Sequence, residues 1–154
     1  MRTLWRQIGT CFYWMLWPAL YVYLRSSART RVLVLAEDHV LLVQSWLGPT
    51  KWQLTGGGLH HREQPEVGAV REVGEETGVR IDVTQLQTLG SEWCTDGGIK
   101  VHYHFFVVRL DKRTAIRRQP GEIVAVAWVP LSDLKTVPHK TDVVRALELL
   151  AAKH

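Results

Sequence analysis

The chain has 154 residues, 46% of them hydrophobic and 22% charged, with a net charge of +4. That size suits one domain with a sizeable core, and the composition excludes a disordered or fibrous chain. Two cysteines, Cys11 and Cys94, exclude a disulfide framework and point to a reducing compartment; the mild positive charge suits anionic substrates or an anionic lipid surface but marks no specific nucleic-acid partner.

Residues 1–27 read differently from residues 28–154. Ile8 to Leu24 carries no charge and lies between Arg2 and Arg6 on one side and Arg25, Arg29 and Arg31 on the other. As a helix it would span roughly 25 Å, slightly short of a ~30 Å hydrocarbon core. Tyr13, Trp14, Trp17, Tyr21 and Tyr23 favour the membrane interface, and Pro18 would kink the run. Four readings fit: a short transmembrane helix, a helix lying in the interface, a helix docked on the domain or a second copy, and a cleaved signal peptide. The slight excess of arginines after the run places the remainder of the chain in the cytoplasm.

Arg31–Ala36 and Val40–Gln44 are apolar runs around Glu37-Asp38-His39 and predict a strand hairpin. A loop at Trp46–Pro49 leads to a short strand, Lys51–Leu54, which feeds Thr55-Gly56-Gly57-Gly58. Consecutive glycines open backbone angles closed to other residues and let a backbone approach a phosphate closely. His60 and His61 read as exposed loop residues, because adjacent side chains rarely chelate one ion.

A helix is expected from Pro65, which suits a first turn, to a stop at Gly78, which suits the left-handed position past a helix end. Val67, Val70 and Val73, with Ala69, predict its buried side. Glu72, Glu75 and Glu76 share another face. Like charges at i,i+4 repel, and carboxylates near a helix C-terminus oppose the macrodipole, each costing a few tenths of a kcal/mol. A cluster kept under those costs suits a hard divalent cation, Mg²⁺ or Mn²⁺, for which oxygen ligands are preferred.

Val79–Asp82 predicts a short strand. Gln85–Cys94 and Ile99–Leu110 predict longer ones around the turn Thr95-Asp96-Gly97-Gly98. His102 and His104 fall on one face of the second, a packed strand face rather than a metal pair. Asp111–Gly121 is a basic loop carrying Lys112, Arg113, Arg117 and Arg118. Glu122 opens the strand Ile123–Val129. Leu131–Leu134 makes a turn, and Thr141–Ala152 a final amphipathic helix. Trp46, Trp52, Trp93 and Tyr103 are each open to base stacking or to the core.

The spacing of Gly57, Glu63, Arg71-Glu72, Glu75-Glu76, Gly78 and the apolar Val73 and Val79 resembles the 23-residue signature of the Nudix hydrolases at every fixed position. The resemblance covers the chain from about Thr30 onward. Thr55, where the family usually has Pro, and His60-His61-Arg62 are local departures. The resemblance implies an α/β/α sandwich with a mixed sheet between helices, extended here by the N-terminal apolar helix. It implies Mg²⁺- or Mn²⁺-dependent hydrolysis of the diphosphate bond in a nucleoside diphosphate linked to another moiety. By the same resemblance Glu72, Glu75 and Glu76 hold metal, Glu122 adds a ligand or the base, and Arg71 orients the carboxylates. Gly57, Gly58 and Glu63 form the adjoining loop. The general base stays open among Glu75, Glu76 and Glu122. Two alternatives stand beside this reading: hydrolysis of a lipid-linked diphosphate at a membrane met through residues 8–24, and a non-catalytic nucleotide-binding module. A homodimer is compatible with each.

Overall fold

The computed structural model describes residues 28–46, 50–96, 99–118 and 122–153. The N-terminal run and the readings attached to it lie outside the described residues. None of the described helices is long and apolar enough to cross a membrane.

The expected hairpin forms from β1 (Ala28–Ala36) and β2 (His39–Ser45), but the strands pair only beside their turn, Leu35 with Val40 and Ala36 with His39. Farther along they part, and the segment leading into the glycines fills the gap. β3 (Gln53–Leu54) pairs with Val43 and Leu42 of β2. On the other side, the N–H groups of Val32 and Thr30 donate to the carbonyls of Thr55 and Gly57, both at 2.9 Å. The glycines are therefore an inner layer of the sheet, with backbone groups committed on both sides.

β5 (Ile99–Leu110) runs parallel to the whole of β1 through His102–Leu110, and β4 (Gln87–Asp96) lies antiparallel outside it. β6 (Ile123–Pro130) pairs antiparallel with β2, completing a mixed six-stranded sheet. Alternation along β1 sends Val32 and Val34 to one face and Leu33 and Leu35 to the other. The first face packs with Leu41, Phe106 and Val108 under α1 (Pro65–Thr77). The second packs with Leu42, Leu54, Phe105 and Val107 under α2 (Thr141–Ala151). The α/β/α sandwich expected from the sequence is present.

α1 starts with Pro65 in its first turn and ends at Gly78, whose φ of 72° and N–H bond to the Gly74 carbonyl close the helix. Its buried stripe differs from the expected one. Ala69, Val73, Glu76 and Thr77 are buried, while Val67 is 49% exposed and Val70 half-buried. The helix is rotated toward the glycine segment, and that rotation carries a glutamate inward. Val79–Asp82 is not a strand. Val79 packs under the sheet and makes no strand pairing among the described residues, and Asp82 caps a 3₁₀ turn at Val83–Gln85 by accepting the Thr84 N–H.

Candidate active site

Gly56 and Gly57 carry the backbone between β1 and α1. Gly56 (φ 134°) lies so close to β1 that a Cβ would fall 2.3 Å from the Thr30 carbonyl oxygen. Its N–H donates to Glu76 Oε2 at 3.0 Å. A Cβ on Gly57 would fall 2.5 Å from Glu72 Oε1. Two carboxylates of α1, one turn apart, thus rest directly on glycine backbone, which no side-chain-bearing residue could allow without displacement.

Burial pushes the Glu76 carboxyl up from its ordinary 4.5 to about 8. The Gly56 hydrogen bond and the Arg31 charge oppose that rise, and the charges of Glu72 and Glu122 add to it. Glu72 is raised as well, again chiefly by burial, with Arg71 pulling the other way. Glu122, far along the chain and exposed, stands near enough to act on Glu76 electrostatically.

Arg71 ties the remaining acids together. Its Nε and Nη2 grip Glu63 at 2.9 Å each, Nη1 bridges Glu72 Oε1 (2.8 Å) and Glu75 Oε2 (3.0 Å), and Nη2 reaches the Gly58 carbonyl at 3.1 Å. These bonds hold the Glu63 carboxyl down at about 2. Glu63 Oε2 also accepts the His60 N–H, fixing the loop before α1. One guanidinium fork serving three carboxylates needs Arg, since Lys has no rigid fork.

The opposite face of the same glycines meets a buried cation that sequence reasoning missed. Arg31 is 3% exposed; its Nε pairs with Asp142 Oδ2 at 2.9 Å and its Nη1 donates to the Gly56 carbonyl at 2.7 Å. Its guanidinium carbon lies 4.8 Å from the Tyr103 ring centre. Asp142 and Tyr103 in turn line a cleft of about 340 Å³ with Trp93, Phe105, Lys140 and Arg145. That volume is in the range of a small-molecule site. The available signal was a charge inside the otherwise apolar strand run Arg31–Ala36.

Tyr103 is core and cleft wall at once, while Trp93 is 64% exposed and leans at a tilt against His102. His102 and His104 touch edge to face, as packed strand residues do. His60 and His61 are exposed. In the basic loop, Arg113 pairs with Glu37, and Arg118 donates to the Ile123 carbonyl. Among the described residues, the trio of potential ligands with ligand atoms within 4.8 Å of one another is two acids and a histidine, Glu37, Asp38 and His39, at the β1–β2 turn and not in α1. In α1, Arg71 lies between Glu72 and Glu75, and Glu76 turns to Gly56. Oxygen donors alone, two of them buried against their ionisation, fit a hard divalent cation, whose charge would offset the burial.

The family model described as NUDIX domain matches residues 26–151. A MutT-like protein of Streptomyces ambofaciens is 31% identical over 118 residues, covering 77% of this chain and 73% of that protein. The NUDIX domain of Shewanella oneidensis NrtR, solved with ADP ribose, shares the fold at a TM-score of 0.70 and 21% identity, over 82% of this chain and 86% of that one. A bifunctional NMN adenylyltransferase/ADP ribose pyrophosphatase of Francisella tularensis, solved with AMP and a Mn ion, gives 0.73 at 20% identity. That match covers 95% of this chain and 48% of the other, so this chain spans less than half of its length. At such identities the structures speak for the fold alone. With the family model spanning most of the chain and a relative matched over most of both sequences, the chain belongs to the Nudix hydrolase family.

Proposed function

We propose that this protein is a divalent-metal-dependent pyrophosphohydrolase that cleaves the diphosphate of a nucleoside diphosphate joined to another group. The observation that carries the reading is the pair Glu72 and Glu76 held against the Gly56–Gly57 backbone, which Arg31 joins on its other side to Asp142 and Tyr103 of a ligand-sized cleft. Glu72, Glu75 and Glu76 would hold Mg²⁺ or Mn²⁺, with Glu122 near them. Such an ion offsets phosphate charge and lowers the pKa of a water. Arg71 and Glu63 keep the carboxylates in place while leaving part of their charge free. Gly57 and Gly58 let the diphosphate approach the backbone. Trp93 at the cleft rim offers a face for a base, and Lys140 a cation for phosphate. The ADP ribose bound by one structural neighbour is of this chemical class, and the AMP bound by the other is the nucleotide that cleavage of such a diphosphate leaves, which supports the reading. It goes with a cytoplasmic catalytic domain.

The test is hydrolysis of ADP ribose, a dinucleoside polyphosphate, a nucleotide sugar and oxidised nucleoside triphosphates, with Mg²⁺ or Mn²⁺, read by chromatography of the mononucleotides and phosphorylated products, and as pyrophosphate from the triphosphates. Glu76→Gln keeps shape and removes a ligand charge. Turnover by the parent, falling at least ~10²-fold in the variant, is expected. Equal rates in parent and variant would refute the assignment. The charge-free run Ile8–Leu24 favours one second reading, a lipid-linked diphosphate substrate. It expects the full chain to hydrolyse a prenyl diphosphate in vesicles and to leave the soluble panel untouched.

A further inference from the structure

Arg31 belongs to neither the helix signature nor the cleft surface, yet it touches the groups behind both. A buried guanidinium is costly, and replacing a buried ion pair by apolar residues is often neutral or stabilising, so stability alone gives little reason for it. Its contacts show what it holds. Nη1 donates to the carbonyls of Gly56 (2.7 Å) and Thr30 (3.2 Å), Nε pairs with Asp142, and Nη2 lies 3.5 Å from the Tyr103 hydroxyl. Asp142 is fixed in turn, since its Oδ2 also accepts the Leu54 N–H at 3.2 Å and its Oδ1 the Val143 N–H at 2.9 Å. The side chain therefore ties β1, the strand leading to the glycines, the first turn of α2 and β5 to one point.

That point is the glycine backbone. The Gly56 carbonyl is held by Arg31, and the Gly56 N–H is held by Glu76. The next residue, Gly57, abuts the Glu72 carboxylate. Moving the 56–57 peptide would move the surface on which both carboxylates rest.

We propose that Arg31 is a positioning residue: it locks the Gly56–Gly57 backbone so that Glu72 and Glu76 keep the spacing a divalent ion needs, and it fixes that spacing relative to the cleft through Asp142 and Tyr103. This inference rests on the metal-dependent reading of the site. It assigns Arg31 no contact with substrate or with the reacting atoms.

The test measures Mn²⁺ affinity directly, by the electron paramagnetic resonance of free Mn²⁺ titrated into the metal-free full chain without substrate. Arg31→Lys keeps the charge and loses the fork. The double variant Arg31→Met with Asp142→Asn leaves no unpaired buried charge and keeps an acceptor for the Leu54 N–H, so a folded protein is available even where the single variant melts. Val107→Ala, a cavity in the same core face, serves as the purely structural control. Supporting results are Mn²⁺ binding ten- to hundredfold weaker in both Arg31 variants, of the size that supporting hydrogen bonds around metal ligands usually carry. The drop in kcat should exceed any rise in KM, and Val107→Ala should lower the melting temperature without changing Mn²⁺ affinity. Parent-like Mn²⁺ affinity in a folded Arg31 variant overturns the positioning role and leaves the metal-dependent reading intact. A parent that binds no Mn²⁺ overturns both.

Discussion

Glu76→Gln should stabilise the metal-free protein in alkaline solution while abolishing its activity. Glu76 is 7% exposed, and its carboxyl is raised from 4.5 to about 8, chiefly by burial. Between those values the folded state keeps a proton that the unfolded chain has released, so stability falls as pH rises, and above pH 8 the loss is complete. At about 1.4 kcal/mol per pK unit the full effect is about 5 kcal/mol, and about 3 kcal/mol where water reaches the carboxylate. That is a large share of the ~5–15 kcal/mol holding a typical domain. A glutamine keeps the acceptor for the Gly56 N–H and has nothing to ionise. The assay is urea unfolding of parent and variant at pH 5 and pH 8.5, in chelator and then in excess Mg²⁺. In chelator the two should be nearly equal at pH 5, with the variant ahead by ~3 kcal/mol at pH 8.5. Excess Mg²⁺ should restore the parent by mass action, about 2.7 kcal/mol at a hundred times its Kd, and the variant by less. A variant less stable than the parent at pH 8.5 in chelator would refute the burial argument.

Gly57→Ala puts a methyl 2.5 Å from Glu72 Oε1, so the carboxylate must move by nearly an ångström against the Arg71 bond that holds it. Activity and Mn²⁺ affinity should each fall at least ~10-fold while the melting temperature changes little, since the obstacle is a side-chain tip; steady-state kinetics and calorimetry check both. Arg71→Lys should weaken Mn²⁺ binding by about 10–100-fold, because Lys cannot reach Glu63, Glu72 and Glu75 together; the same resonance titration measures it.

The fold was legible where a local rule and the tertiary structure agree. Pro65 and Gly78 bracket α1 as expected, and the runs expected as strands form β1, β2, β5 and β6. The rotation of α1 was not legible, because helical periodicity weighs Val67 and Val70 as core and has no means of burying Glu76. That burial depends on an N–H from Gly56, which only the splaying of β1 and β2 places there. For the same reason Arg31 and Asp142 escaped notice. In the sequence one looks like a flanking charge and the other like an ordinary first-turn acid; they form an ion pair only because Gln53–Gly58 passes between the hairpin strands. The spacing of Glu72, Glu75 and Glu76 needed no tertiary information, since three residues on one helix face stay together however the helix turns.

Charge balance across the sheet gives that local geometry a direction. The buried polar residues Thr30, Arg31, Gln53, Thr55, Glu76, Thr77 and Asp142 come from β1, the segment entering the glycines and the facing ends of both helices. Of these, Glu76, Arg31 and Asp142 are linked through the Gly56 backbone into a polar path through an otherwise apolar sheet. Along it the charges run Glu76, Arg31, Asp142, with Glu72 beside the first. Arg31 is matched at 2.9 Å by Asp142, which weakens but does not cancel its pull on Glu76. Arg71 is shared among Glu63, Glu72 and Glu75, and makes no bond to Glu76. The α1 side therefore keeps more buried negative charge than the protein's own cations offset, and its two inward carboxylates are both raised by burial. Protonation relieves that excess in acid; in alkaline solution only a bound cation can. The same imbalance that costs the metal-free protein stability thus favours a divalent ion at the place where the diphosphate would be cut.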